Sequence, residues 1–156
     1  MIYIIGVNHQ TQYWDGSDSL FLLSIRDWGS KLTLSLIAEE LNQEAIDKQQ
    51  ALTRQTLGSV AQRAASILGV EHRFCDPNTS ERTSLKIRTP TEIRQNLGLR
   101  AGEDEVRVEQ EEQRDWPSRE KSWLDRISDK SEEDILFIWA FPMPSGFCLS
   151  SKPVVS

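Results

Sequence analysis

The chain has 156 residues, and its 18 basic and 24 acidic side chains give it a net charge of −6. This length is typical of one domain and small for two, so we expect a single domain with one core. The whole acidic excess lies between Arg100 and Asp134, where thirteen acidic residues stand against seven basic ones. An acidic segment repels polyphosphate, and no basic stripe elsewhere offsets it, so the charge pattern argues against a nucleic-acid partner.

A short apolar run, Ile2 to Val7, opens the chain. Its continuous β-branched pattern predicts a strand that helices cover on both faces. The run has no basic leader and is too short to cross a bilayer, so we expect neither a secretion signal nor a membrane span. Cys75 and Cys148 fit neither a disulfide framework nor a CxxC pattern, which favours reduced thiols in a cytoplasmic protein.

The next elements are predicted to alternate between helix and strand. A helix is expected to begin at Ser17 or Asp18, because either side chain can accept from the free N–H groups of a first turn. The polar stretch 42–55 has few apolar anchors, so it predicts a loosely held helix or a mobile loop. Apolar spacing predicts three further elements, which are a strand over Leu32 to Ala38, a helix over Ser59 to Leu68 and a strand over Val70 to Cys75.

The last part of the chain is more polar. Scattered apolar residues over 78–114 predict partly ordered helices and a mobile acidic segment. Asp115-Trp116-Pro117 predicts a helix start, because proline is tolerated in the first turn, and Ile135 to Ile138 predicts a fourth strand. The alternation predicts an α/β fold with an open, mostly parallel sheet of about four strands and helices on both faces. We expect one domain over 1–138 and an atypical apolar tail over 139–156.

Polar side chains follow three of the predicted strands. His9 follows the first, Glu39 and Glu40 the second, and Asp76 the third. Ligands bind beyond the carboxyl ends of parallel strands, so we expect these side chains to share one site. Imidazole and carboxylates can hold a divalent ion such as Mn²⁺ or Zn²⁺, or a carboxylate can orient a histidine that deprotonates water. The starts of loops are polar in any case, so a structural role stays open.

Other residues near this site are weaker candidates. Trp14 follows the first strand and is a candidate for substrate binding, because tryptophans can line an apolar pocket for a ring-shaped ligand. Trp28 and Trp123 fit the core stripes of helices better. His72 begins its strand, so we expect it at the opposite edge of the sheet as a surface or packed histidine, and Cys75 is expected in the core. No glycine-rich loop follows the first strand, which argues against a nucleotide site.

Two motifs resemble those of a known superfamily. Gly6-Val7-Asn8-His9 and Glu39-Glu40 are similar to the Gly-x-x-His and paired-Glu motifs of the TIKI/TraB superfamily, which includes erythromycin esterases and ChaN-like haem-binding proteins. Arg119-Glu120-Lys121-Ser122-Trp123 resembles a motif on a late helix of the same superfamily. The resemblance implies a hydrolase in which His9, with Glu39 or Glu40, binds a metal or activates water. It also implies that Arg119 steadies a developing negative charge.

The end of the chain departs from that superfamily. No second Gly-x-x-His follows the last predicted strand, and the residues from Ile135 onward contain a single charge, Lys152. We hypothesise a shifted reading frame or a truncation beyond Ile138, which would remove one ligand from the site. The apolar tail would then be an association patch for a homo-oligomer. The alternative to a hydrolase of small molecules or peptides is therefore a non-catalytic module that binds a small ligand or a protein.

Overall fold

A computed structural model of the chain describes residues 1–7, 12, 20–53, 58–130 and 132–140. Four strands form one sheet in the order β1-β4-β2-β3, and every neighbouring pair is parallel. The strands are β1 (Ile2–Val7), β2 (Leu34–Glu39), β3 (Glu71–Phe74) and β4 (Asp134–Ala140). This sheet, with helices on both faces, confirms the predicted α/β fold.

Six helices lie in the described part of the chain: α1 (Leu20–Lys31), α2 (Gln43–Thr53), α3 (Val60–Leu68), α4 (Thr79–Leu85), α5 (Pro90–Leu97) and α6 (Glu105–Ile127). Side-chain caps fix several starts. Ser59 Oγ accepts from the backbone N–H of Gln62 ahead of α3, and Thr89 forms a capping box with Glu92 ahead of α5. Gly69 ends α3 with a φ of 68°, a conformation that glycine adopts without strain. Within the described ranges, no helix is long and apolar enough to span a membrane.

Each face of the sheet has its own hydrophobic core. On one face, α1 and α3 pack against β2 and β4 through Ile25, Val60, Ile37 and Ile138. On the other face, the end of α6 packs against the same two strands, and Ile127 contacts this second core around Leu36 and Ile135. The central strands β2 and β4 are therefore buried on both sides, which explains their nearly continuous apolar sequences.

β1 lies at the edge of the sheet. Its Tyr3 and Ile5 pack on the α1 and α3 face, whereas Ile2 and Ile4 are 44 % and 65 % exposed. A groove of about 290 Å³ separates these two isoleucines from α6. The prediction that helices cover the first strand on both faces is therefore wrong for the described residues. The reason is that α6 packs over β2 and β4, and the order of strands in a sheet is not written in the sequence of any one strand.

The stretch 78–114 differs from the expected mobile acidic segment, because the structure describes α4, α5 and the beginning of α6 there. Polar contacts hold these helices together. Asn78 and Glu81 form a capping box ahead of α4, and Arg88 donates to Asp115 at 2.9 Å and to Glu111 at 3.1 Å on α6. Apolar periodicity does not detect anchors of this kind, so the segment is more ordered than its sequence pattern predicts.

The helix start predicted at Asp115 is wrong, because α6 begins at Glu105 and contains Pro117 in its interior. Asp104 caps α6, and Asp115 instead accepts hydrogen bonds from Arg88. Proline lacks the donor that a helix interior uses, at a typical cost of about 3 kcal/mol. The packing of both halves of α6 offsets this cost, since Val108 and Ile127 are buried on either side of the proline.

Candidate functional site

The carboxyl ends of β2 and β3 open into a cavity of about 460 Å³. Glu39 is paired in register with Phe74, so the residues that follow both strands come together. The backbone continues this pairing, because Asp76 N donates to Leu41 O at 3.0 Å. Carboxylates, guanidinium groups and indole rings line the cavity, among them Glu40, Asp76, Arg82, Arg119, Trp116 and Trp139.

Glu40 is the first residue after β2, and its side chain is buried. One carboxylate oxygen lies 2.8 Å from Nη2 of Arg119, and the other accepts from the backbone N–H of Ala140 at 3.0 Å. Burial raises the pKa of Glu40 to about 7, since Arg119 opposes the effect incompletely and the negative charge of Asp76 adds to it. Glu40 therefore exchanges a proton near neutral pH.

Asp76 follows β3 and is held by two arginines. Arg119 Nε donates to its Oδ1 at 2.7 Å, and Arg82 Nη2 donates to its Oδ2 at 2.6 Å. Trp123 Nε1 lies 3.4 Å from Oδ1. Burial opposes the charged form, but the hydrogen bonds and charges of the two arginines outweigh burial and lower the pKa of Asp76. Near neutral pH, Asp76 is therefore ionised, whereas Glu40 is partly protonated.

Arg119 lies on α6 and joins the ends of two strands. Its side chain is 14 % exposed, and it contacts both Glu40 and Asp76. The guanidinium carbon also lies 5.3 Å from the centre of the Trp123 ring, within the range of a cation–π contact. Burial alone would lower the pKa of Arg119, but its hydrogen bond to Asp76 and the negative charges of Asp76 and Glu40 together outweigh burial and raise that pKa. One largely buried cation is thus shared by two carboxylates.

Glu39 belongs to a different cluster, on the face of the sheet that α3 covers. Its Oε1 lies 2.7 Å from Nε2 of His72 and also accepts from Ser59 Oγ, the N-cap of α3. Neighbouring residues of a strand point to opposite faces, so Glu39 and Glu40 do not share one site. Its Oε2 is buried and accepts no hydrogen bond from the described residues.

The expected location of His72 is wrong. Its position at the start of β3 predicts the opposite edge of the sheet, yet its ring contacts Glu39 at the exit of β2. β3 is only four residues long, and His72 is in register with Ile37, which lies on the same face as Glu39. A long glutamate side chain can therefore reach it diagonally. The prediction of a packed histidine still describes it well, because its side chain is only 12 % exposed.

The structure brings three of the six predicted site residues together, places a fourth elsewhere and does not describe the other two. Glu40, Asp76 and Arg119 meet at the cavity, whereas Glu39 lies on the other face. His9 and Trp14 fall outside the described residues, so their predicted roles in catalysis, metal binding and substrate binding stay predictions.

A metal site is not formed by the described residues alone. They contain no group of three or more His, Cys, Asp or Glu side chains that could hold a metal ion. In the cavity, the oxygens of Glu40 and Asp76 already accept bonds from arginines and from a backbone N–H. A metal ion there would compete with Arg119 and Arg82 for the carboxylate oxygens. The carboxylates of Glu40 and Asp76 alone are therefore poor ligands for Mn²⁺ or Zn²⁺. The predicted metal role depends on His9, which lies outside the described residues.

Two features of the cavity were missed or misjudged from the sequence. Arg82 was not singled out, although the capping signal Asn78-x-x-Glu81 fixes the helix turn that carries it. Trp123 was expected to be core, and it is both a core contact and a wall of the cavity. Trp28, also expected in a core stripe, is 42 % exposed. Cys75 is fully buried as expected, and burial raises the pKa of its thiol to about 12.

Comparisons with protein-family models, with curated proteins and with solved structures found no match to this chain. The resemblance to the TIKI/TraB superfamily rests on the motifs alone and stays a prediction.

Proposed function

We propose that the chain is a hydrolase of small molecules whose proton-transferring residue is Glu40. A single observation carries the proposal: Glu40 is a buried carboxyl with a pKa of about 7, in contact with a largely buried arginine, at the wall of a cavity of about 460 Å³. An acid–base catalyst works best when its pKa lies near the working pH. Cavities of this size at the carboxyl ends of parallel strands are also where α/β proteins bind ligands.

The proposed step is the attack of water on an ester or amide carbonyl. Ionised Glu40 takes a proton from water while the water oxygen bonds to the carbonyl carbon, and the π electrons move onto the carbonyl oxygen. The tetrahedral intermediate then collapses, the bond to the leaving group breaks, and protonated Glu40 returns the proton to that group. The products are a carboxylic acid and an alcohol or amine. Arg119 stabilises the negative charge on oxygen, as fixed donors do in other hydrolases.

Asp76 has a positioning role in this proposal. Both of its oxygens accept bonds from arginines, and its lowered pKa keeps it ionised, so it is a poor base. It fixes the direction of the Arg119 guanidinium while leaving Nη2 beside Glu40. Orientation of this kind is how a fixed charge supports a reaction without moving during it.

A second candidate is a module that binds a small ligand without cleaving it. The observation that favours it is that both oxygens of Glu40 already accept bonds, from Arg119 and from the backbone of Ala140. A carboxylate engaged in this way is less available to water. The cavity would then bind a ligand through Arg119 and its aromatic wall.

The test is a panel of chromogenic acyl, phosphoryl and glycosyl substrates, with Glu40→Gln and Glu109→Gln variants. Glu109 is an exposed residue of α6, so it is a matched control for the loss of one carboxylate. We expect turnover of an acyl substrate with an apparent pKa of about 7 in its rate profile. We expect Glu40→Gln to abolish this turnover and Glu109→Gln to preserve it. Full activity of the Glu40→Gln variant would refute the proposal.

The predicted role of His9 and a divalent ion is tested in the same assay. The chain is measured after chelation, after addition of Mn²⁺ or Zn²⁺, and as a His9→Ala variant. If a metal is used, chelation and His9→Ala each remove the activity, and added metal restores it only to the unaltered chain. Activity that survives chelation would exclude the metal role and support the metal-independent step proposed for Glu40.

A further inference from the structure

Two tryptophans form a corner in the wall of the cavity. The ring centres of Trp116 on α6 and Trp139 on β4 are 6.4 Å apart, and their planes meet at 77°. A flat ring placed in such a corner can stack on one indole and point its edge at the other. Both arrangements are favourable between aromatic rings, because the face of each ring is negative and its edge is positive.

The corner lies beside the proposed catalytic group. Trp139 directly precedes Ala140, whose backbone N–H donates to Glu40 at 3.0 Å. A third indole, Trp123, has Arg119 over its face at 5.3 Å. The cavity is therefore amphipathic, with an aromatic corner at one side and a carboxyl–guanidinium pair next to it.

We propose that the substrates of this cavity carry an aromatic ring close to the carbonyl group that is cleaved. The inference rests on the proposed function and adds the substrate class to it. The ring occupies the corner between Trp116 and Trp139, and the carbonyl group reaches Glu40 and Arg119. A saturated ring of the same size fills the same volume but lacks the aromatic quadrupole, so it loses the directional part of the interaction.

The experiment compares ligands that differ only in the ring. Phenylacetamide and cyclohexylacetamide are the binding probes, and their affinities are measured by calorimetry or by ligand-observed NMR. Methyl phenylacetate and methyl cyclohexylacetate are the matched substrates, because they share the leaving group and keep the ring one carbon from the carbonyl. An aromatic pair typically changes an affinity by a factor of roughly three to ten beyond its apolar burial.

Two variants separate ring recognition from folding. Trp116→Leu keeps an apolar side chain in the wall and removes the aromatic face, and its thermal unfolding is checked first. Trp28→Leu is the matched control, since Trp28 is a half-exposed tryptophan of α1, on the opposite face of the sheet. We expect the phenyl ligand to bind roughly three to ten times more tightly than the cyclohexyl ligand to the unaltered chain and to Trp28→Leu. We expect this ratio to fall to about one in Trp116→Leu.

Equal affinities for the two amides, or no binding of either, would overturn the inference. A preference for the phenyl ring that Trp116→Leu keeps would also overturn it, because the ring would then bind elsewhere. Turnover tests the proposed function separately. A phenyl preference in binding without hydrolysis of methyl phenylacetate removes the hydrolase and leaves the aromatic site. Equal kcat/KM for both esters removes the aromatic class and leaves the hydrolase.

Discussion

Replacement of Glu40 by glutamine should change how the free energy of unfolding depends on pH. Below its ordinary pKa of 4.5, Glu40 is protonated in both the folded and the unfolded chain. Between that value and about 7, the unfolded chain releases the proton and the folded chain keeps it. Since the folded state then binds more protons, rising pH lowers the free energy of unfolding over this interval. Above about 7 the loss is complete.

The size of the effect follows from the two pKa values. They differ from 4.5 to about 7, and each pKa unit of difference corresponds to about 1.4 kcal/mol. Glu40 should therefore cost the folded protein about 3 kcal/mol at neutral pH relative to acid pH. Glutamine has nearly the same shape and does not titrate, so the variant lacks this pH-dependent loss of stability. Any change in its hydrogen bonds to Arg119 or Ala140 adds an offset that does not vary with pH.

Urea denaturation of both proteins at pH values from about 4.5 to 8.5, at fixed ionic strength, measures the effect. The stability of Glu40→Gln minus that of the unaltered chain should rise by about 3 kcal/mol across this range. The same difference for the exposed control Glu109→Gln should stay flat. If the Glu40→Gln difference changes by less than about 1 kcal/mol, burial does not raise the pKa of this carboxyl and the reasoning fails.

Three further predictions test the surroundings of the site. Arg119→Met should lower the free energy of unfolding by about 3–5 kcal/mol at neutral pH, because two buried carboxylates lose their shared cation. Urea denaturation measures this loss, and a value below about 1 kcal/mol would contradict the role of Arg119 as their shared cation. Pro117→Ala should raise stability by about 1–3 kcal/mol, since alanine restores an N–H that can donate to the Gln113 carbonyl, and a lower melting temperature would contradict it. In a Cys148→Ser background, Cys75 should resist a thiol reagent at about pH 8 until urea unfolds the chain, because burial raises the pKa of its thiol to about 12. Rapid labelling of the folded chain would refute this.

Much of the fold could be predicted because its signals are local. The apolar runs of β1, β2 and β4 mark strands, and the serine before α3 and the glycine after it mark the limits of that helix. Alternation of helix and strand then leads to a parallel sheet. The positions of Glu40 and Asp76 at the strand ends could be predicted in the same way. Glu40 directly follows β2, and Asp76 is separated from the end of β3 by Cys75.

The remaining features depend on contacts between distant residues. Arg88 holds Asp115 from a loop 27 positions earlier, so neither residue carries a local sign of its role. The separation of Glu39 from Glu40 was readable from strand alternation, but the partners of Glu39 were not. His72 reaches it only because β3 is short and pairs with β2 in one particular register. The contact of Arg82 with Asp76 likewise depends on where α4 lies relative to β3, which the sequence does not show.

β4 is the last of the described strands in sequence and lies between β1 and β2 in the sheet. During synthesis, β1 and β2 therefore emerge before β4, the strand that lies between them. Until β4 is made, the strand edges of β1 and β2 that pair with it stay unpaired. Unpaired apolar edges are prone to aggregate, which makes this interval the vulnerable one for the nascent protein. The acceptor at Glu40 also meets its backbone donor, Ala140, only after 100 further residues have been added. The cavity therefore gains this part of its wall, and Glu40 gains its backbone hydrogen bond, only after β4 has been synthesised.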